Sequence, residues 1–124
     1  SHGAGVHQLV QVAHGVKTIL PAAEKLDVAA VWQLIECWKV SNLFTVPTIL
    51  KMLVEDPAVD RFDHSSLRYV IYAGAPMYRA DQKRALAKLG PVLVQYFGLG
   101  EVTGNITVLP PELHSGEDGP QARL

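Results

Sequence analysis

The chain has 124 residues, with 11 basic and 12 acidic side chains, a formal charge of −1 and 48% hydrophobic content. That length suits one globular domain with a core of its own. The near balance of charge gives no electrostatic reason to expect nucleic acid or an anionic membrane as partner, and no apolar run approaches the ~20 residues of a transmembrane span.

Taken in chain order, residues 6–14 predict a helix, with Val6, Leu9, Val10 and Ala13 gathered on one face and Gly15 as a stop. Residues 16–20 read as a short strand closed by Pro21. Asp27 is an N-cap for the next helix, where Val28, Val31, Trp32, Ile35 and Trp38 recur at spacings of three and four and predict one buried face. Cys37 lies in the same segment and is expected to be a buried thiol. As the one cysteine it excludes an internal disulfide and fits a reducing, cytoplasmic setting. Residues 42–46 form the next strand. Pro47 fits the first turn of a helix reaching Glu55, because its missing N–H is not needed there. After a polar connection over 56–66 come a strand at 68–73, a helix at 78–89, a break at Gly90-Pro91 and a strand at 91–97. A further strand is expected at 105–109.

Strands and helices therefore alternate, and the strands are nearly continuous apolar runs, as strands buried on both faces are. The expectation is an α/β fold: a parallel-sheet, flavodoxin-like layered subdomain with helices on both faces over residues 1–109. A polar tail over 110–124 follows. The opening Ser1-His2-Gly3-Ala4-Gly5 has neither the basic start nor the apolar stretch of a signal peptide. Together with the polar, Gly/Pro-containing end, it suggests an internal fragment of a larger domain.

In an open parallel sheet, ligands bind beyond the carboxyl ends of the strands. Three such ends stand out: Thr45-Val46-Pro47-Thr48, Tyr72-Ala73-Gly74-Ala75-Pro76 and Gln95-Tyr96-Phe97-Gly98-Leu99-Gly100-Glu101. Gly74 and Gly98 clear side chains from places where a flat ligand could lie against the backbone. Tyr96 and Phe97 offer faces for stacking, and Glu101 adds a carboxylate suited to a hard cation such as Mg²⁺. An aromatic slot beside such a carboxylate outlines a nucleotide site. The same residues are also compatible with ordinary turns after strands, and the same pattern suits a non-catalytic flavodoxin-like binding or interaction module.

The stretch from Tyr72 to Leu109 resembles the core of the acyl-adenylate-forming (AMP-binding) superfamily, which includes acyl-CoA synthetases, luciferases and peptide-synthetase adenylation domains. Gly74-Ala75-Pro76-Met77 is similar to that family's Gly-Ala-Pro-apolar turn beside adenine. Phe97-Gly98-Leu99-Gly100-Glu101 is similar to its aromatic-Gly-x-Thr-Glu motif, whose aromatic stacks on adenine and whose glutamate meets Mg²⁺. Ser1-His2-Gly3-Ala4-Gly5 resembles the segment whose histidine borders the acyl tunnel in the synthetase branch. The order and separation of the three match the family, so the resemblance spans nearly the whole chain.

The resemblance implies an internal fragment, residues 1–124, of the large N-terminal domain of an acyl-CoA synthetase or fatty-acid–CoA ligase. It implies ATP, Mg²⁺ and coenzyme A as cofactors or co-substrates and a carboxylic acid as substrate. Glu101 would be the catalytic metal ligand. Gly74, Ala75, Pro76, Tyr96, Phe97 and Gly98 would hold the nucleotide, and His2, Val46, Thr48 and Ala73 would border the acid. The pocket-side positions Val46, Thr48, Ala73 and Gly98 include no acidic residue to hold an amine, which favours a fatty or aryl acid over an amino acid. The phosphate loop would lie upstream and the catalytic lysine domain downstream, so the fragment alone is expected to be inactive. Two positions depart from the family pattern. Phe97 stands for the usual tyrosine, and Gly100 for the threonine whose hydroxyl helps hold the α-phosphate. Thr103 could replace that hydroxyl only if the loop is reshaped. His2, His7, His14, His64 and His114 form no compact ligand set in sequence.

Overall fold

The computed structural model describes residues 2–22 and 24–119. Ser1, Ala23 and residues 120–124 lie outside this set, as do the side chains of His2 and Ala4. In chain order come α1 (His2–Ala13), α2 (Val28–Trp38), β1 (Asn42–Thr45), α3 (Pro47–Glu55), β2 (Tyr69–Tyr72), α4 (Arg79–Leu89), β3 (Leu93–Leu99) and β4 (Gly104–Leu109). Single 3-10 turns occupy Pro57–Asp60, Gly100–Val102 and Pro111–Leu113.

The strands form one sheet in the order β1-β2-β3-β4. β1, β2 and β3 are parallel, and β4 returns antiparallel to β3. The expected parallel sheet is present in β1–β3 and only its last strand reverses, because a connection as short as residues 100–103 can only reverse direction. Successive parallel strands step the same way across the sheet, so right-handed crossovers put α3 and α4 on one face. Leu43, Val70, Tyr72 and Leu93 point to that face and pack with Trp32, Ile35, Leu50, Leu53, Val54, Ala85 and Leu89. Phe44, Ile71 and Val94 alternate to the other side, where α1 lies: the Phe44 ring stacks on His7 at 5.3 Å, and a Cβ on Gly3 would lie 2.6 Å from that ring.

Two local devices fix the helices. The Asp27 carboxylate accepts the Ala30 N–H at 3.1 Å, as its N-cap position predicts. The second answers a defect in α3. Leu53 ends one residue short of a full partner, since position 57, which would donate to its carbonyl, is Pro57 with no N–H. The indole Nε1–H of Trp32 donates to that carbonyl instead, at 3.0 Å, with Trp32 fully buried. The connection over 56–66 is less polar in practice than in composition: Ala58 and Val59 are buried in the core.

Three expectations fail. Trp38 is 55% exposed, not core. Each step of three along a helix slips about 60° off the stripe, so by Trp38 the chain has turned about 120° from Trp32. Cys37, about 140° from Trp32 by the same geometry, is exposed, not buried. Residues 16–20 form no strand; among the described residues nothing pairs with them, and an unpaired apolar run has no ladder to join.

Candidate functional site

The register brings the three strand ends together. Thr45 is opposite Tyr72, and Tyr72 is opposite Gln95. The ladder extends one step further, with the Ala73 N–H donating to the Thr45 carbonyl at 3.3 Å. Val46 and Ala73 therefore leave the sheet side by side, next to Tyr96, which stays paired with Val108 on β4, and a Cβ on Gly74 would meet Val46 Cγ1 at 3.9 Å. Gly74 has φ +85°, the left-handed region in which any side chain is strained. The sharp exit it allows exposes Gly74, Ala75 and Pro76 on the rim while Met77 returns to the core.

The β3–β4 end is shaped by Gly98. The register shifts between Phe97, opposite Thr107, and Gly98, opposite Asn105, leaving Ile106 as an extra residue on β4. At that bulge the two backbones come so close that a Cβ on Gly98 would sit 2.0 Å from the Gly104 carbonyl oxygen. The chain then turns through Gly100–Val102 with Glu101 exposed on the rim. Thr103 adopts a left-handed conformation, φ 60°, with its hydroxyl donating to the Val102 carbonyl at 2.7 Å. Its hydroxyl is thus already engaged within the turn. A Cβ at Gly100 meets nothing within 4 Å, so space for a side chain exists there.

Val46, Thr48, Gly74, Ala75, Pro76, Phe97, Gly98 and Glu101 are all exposed on this rim, and Ala73 and Tyr96 are half-buried. The pleat separates the two aromatics. Tyr96 shares the α1 face with Val94, Ile71 and Phe44, whereas Phe97 points to the face of α3 and α4. A slot on one face can take only one of the two rings. His2 belongs to α1, which lies on the Tyr96 face, although its side chain is outside the described residues. Among the described residues no three His, Cys, Asp or Glu side chains converge. A hard cation near Glu101 would thus share one carboxylate with ligand oxygens, the arrangement Mg²⁺ adopts with phosphates.

Away from the rim, a groove of about 610 Å³ runs between α1, residues 16–21, α2 and β1, lined by His7, Lys17, Leu34, Trp38 and Phe44 among others. It contains none of the rim residues. Desolvation by burial holds His7, on its wall, below the usual histidine range. Sequence reasoning also missed a polar network behind the rim, joining Tyr72, Gln82, Arg79 and His114. Gln82 is fully buried, and its spacing from Ala85 and Leu89 sets it on the core stripe of α4. That polar residue at an apolar position was the available signal.

No described helix is long and apolar enough to cross a membrane. The family model for AMP-binding enzymes matches residues 1–122. A fatty-acid ligase of Mycobacterium tuberculosis, "Medium/long-chain-fatty-acid--CoA ligase FadD8", is 30% identical over 109 residues, 88% of this chain and 19% of that protein. The acyl-CoA ligase sidI of Aspergillus fumigatus is 36% identical over 104 residues, 82% of this chain and 17% of that protein. Among solved structures, the N-terminal domain of FACL13 from Mycobacterium tuberculosis superposes with a TM-score of 0.76 at 32% identity, covering 89% of this chain and 27% of that one. The chain thus spans about a fifth of the length of the curated relatives it matches.

Proposed function

This chain belongs to the AMP-binding enzyme family, and from that premise we propose that the protein containing it activates a carboxylic acid with ATP and passes the acyl group to coenzyme A. A carboxylate oxygen attacks the α-phosphorus, pyrophosphate leaves, and the resulting acyl-adenylate loses AMP to the attacking thiol. The observation that carries this reading is the juxtaposition of the Gly74 turn with the Gly98 bulge at adjacent strand ends.

On this reading Gly74, Ala75 and Pro76 form one wall for adenine and Phe97 stacks against the base, while Gly98 keeps the gap between them open. Tyr96, on the opposite face with α1, borders the acid together with His2, Val46, Thr48 and Ala73. None of these is acidic, which supports a fatty or aryl acid without an amine. Glu101 would hold Mg²⁺, whose charge stabilises the developing negative charge on the phosphates. Gly100 leaves the α-phosphate without a hydroxyl donor from that position, and the Thr103 hydroxyl is engaged elsewhere. The phosphate loop and the catalytic lysine come from the rest of the chain. The proposed setting is cytoplasmic, on the single, exposed thiol of Cys37.

The test is carboxylate-dependent ATP–pyrophosphate exchange by the full-length protein with short, long and aromatic acids, with Glu101→Gln alongside. Exchange with one class of acid that collapses in the variant is the expected result. Failure of every acid to support exchange would return the chain to the non-catalytic module reading.

A further inference from the structure

The adenine wall proposed above is not held by its own turn. Residues 73–78 make no regular structure, and Gly74, Ala75 and Pro76 are exposed. What brackets them is polar. Tyr72, the last residue of β2, is fully buried, and its hydroxyl accepts an N–H from Gln82 Nε2 at 3.2 Å, closing the turn from β2 to α4. The same hydroxyl lies 3.0 Å from His114 Nε2. His114 Nδ1 sits 2.9 Å from the Pro110 carbonyl, which can only accept, so Nδ1 carries the proton and Nε2 accepts from Tyr72.

Arg79, the first residue of α4, completes the arrangement. Its guanidinium donates to Gln82 Oε1, to the Ser115 carbonyl at 2.6 Å, to the Glu117 carbonyl at 2.6 Å and to Asp118 at 3.0 Å. Apart from their bonds to Gln82, the Tyr72 and Arg79 side chains therefore reach the segment that follows β4.

We propose that Tyr72, Gln82, Arg79 and His114 form a latch that fixes the 73–78 turn against residues 110–118, with neutral His114 as the positioning residue that closes it. The two segments then order together, although they are remote in sequence. The latch positions the nucleotide wall and touches no substrate.

The charge state of His114 decides closure. The charged and titratable groups of other elements bonded to its segment are Tyr72 on β2 and Arg79 and Lys83 on α4, and the segment itself carries Glu112, Glu117 and Asp118. Asp118 is engaged by Arg79 and Lys83. Protonated, His114 would present Nε2–H to a Tyr72 oxygen that already accepts from Gln82. The tyrosine proton would then lose the acceptor it has among the described residues. Burial holds His114 below the usual histidine range, opposed by its bond to Pro110. Its folded-state pKa is depressed, so closure is complete above the ordinary histidine value of about 6.5, weakens below it and is lost as pH falls through the lower folded-state pKa.

The experiment is amide hydrogen exchange on the full-length protein, corrected for intrinsic rates, at pH 7.5 and 5.0. Wild type, Tyr72→Phe and His114→Gln are compared; glutamine keeps an acceptor for Tyr72 but does not titrate. Acidification is expected to speed exchange about tenfold in both 73–78 and 110–118 of the wild type, the counterpart of one lost hydrogen bond. Tyr72→Phe does the same already at pH 7.5, and His114→Gln removes the acid response. Exchange that rises in only one segment, or an acid response that persists in His114→Gln, overturns the latch. Because the role assigned to the turn rests on the nucleotide reading, KM for ATP is measured over the same interval. It is expected to rise with kcat little changed in wild type and to stay flat in His114→Gln. A flat KM alongside coupled exchange overturns the nucleotide role of the turn and leaves the latch standing.

Discussion

Replacing Gly98 by alanine isolates the geometry of the rim. A Cβ there would lie 2.0 Å from the Gly104 carbonyl oxygen, 2.7 Å from its carbon and 2.8 Å from Asn105 Cα. All three are backbone, so no side chain can swing aside. Restoring ordinary contact means moving β4 by more than 1 Å, which the pairs beyond the bulge, Gly98 with Asn105 and Leu99 with Gly104, cannot survive. Two ladder hydrogen bonds at about 1 kcal/mol each give a local loss of ~2 kcal/mol. Little apolar burial is added to it, since Leu99, Ile106 and Val108 are already half-exposed. The effect should be local: about 30-fold faster amide exchange over residues 99–109, with the α2–α3 core unchanged. Gly100→Ala is the matched control, because its Cβ meets nothing within 4 Å and should leave exchange as it was. Equal behaviour of the two variants would refute the argument that the bulge, and not glycine content in general, sets the position of Glu101.

Trp32→Phe should cost about 1–3 kcal/mol in urea unfolding of the chain, because it orphans a buried Leu53 carbonyl that Pro57 cannot serve. Asp27→Ala removes the acceptor for the Ala30 N–H and should cost ~1 kcal/mol, with Asp27→Asn recovering most of it. His7, held low by desolvation, favours the folded state when neutral. Its contribution is complete above about pH 6.5 and declines below, so exchange in residues 2–13 should rise between pH 7.5 and 5.0, and not in His7→Gln. Gly100→Thr should fold normally and, if the α-phosphate lies where proposed, lower KM for ATP by about tenfold or more through one hydrogen bond to a charged group.

The elements easiest to read from sequence were those whose signals are local. The Asp27 cap, Pro47 at the start of α3 and the apolar stripe through Trp32 and Ile35 each follow from spacing alone, and each is present. The misses have separate causes. Residues 16–20 have strand composition, but a strand needs a partner edge, and sequence does not state which edge is available. Trp38 satisfies the three-and-four spacing and still faces out, because that spacing drifts around a helix by the last turn. The direction of β4 was hidden for a third reason: only the length of its connection to β3 encodes it.

The rim was legible for the same reason that the caps were. A glycine forced by backbone, as at Gly74 and Gly98, is visible as a motif because no other residue will serve there. What stands behind the rim was not, since Tyr72, Gln82 and His114 carry no motif and meet only through the sheet and the 111–113 turn. Metal ligation is the wrong question for His114, whose partners are a tyrosine hydroxyl and a carbonyl. The better signal was Gln82. An amide on the apolar stripe of α4 must find partners inside the protein, and asking where those partners come from leads to Tyr72, and from Tyr72 to His114.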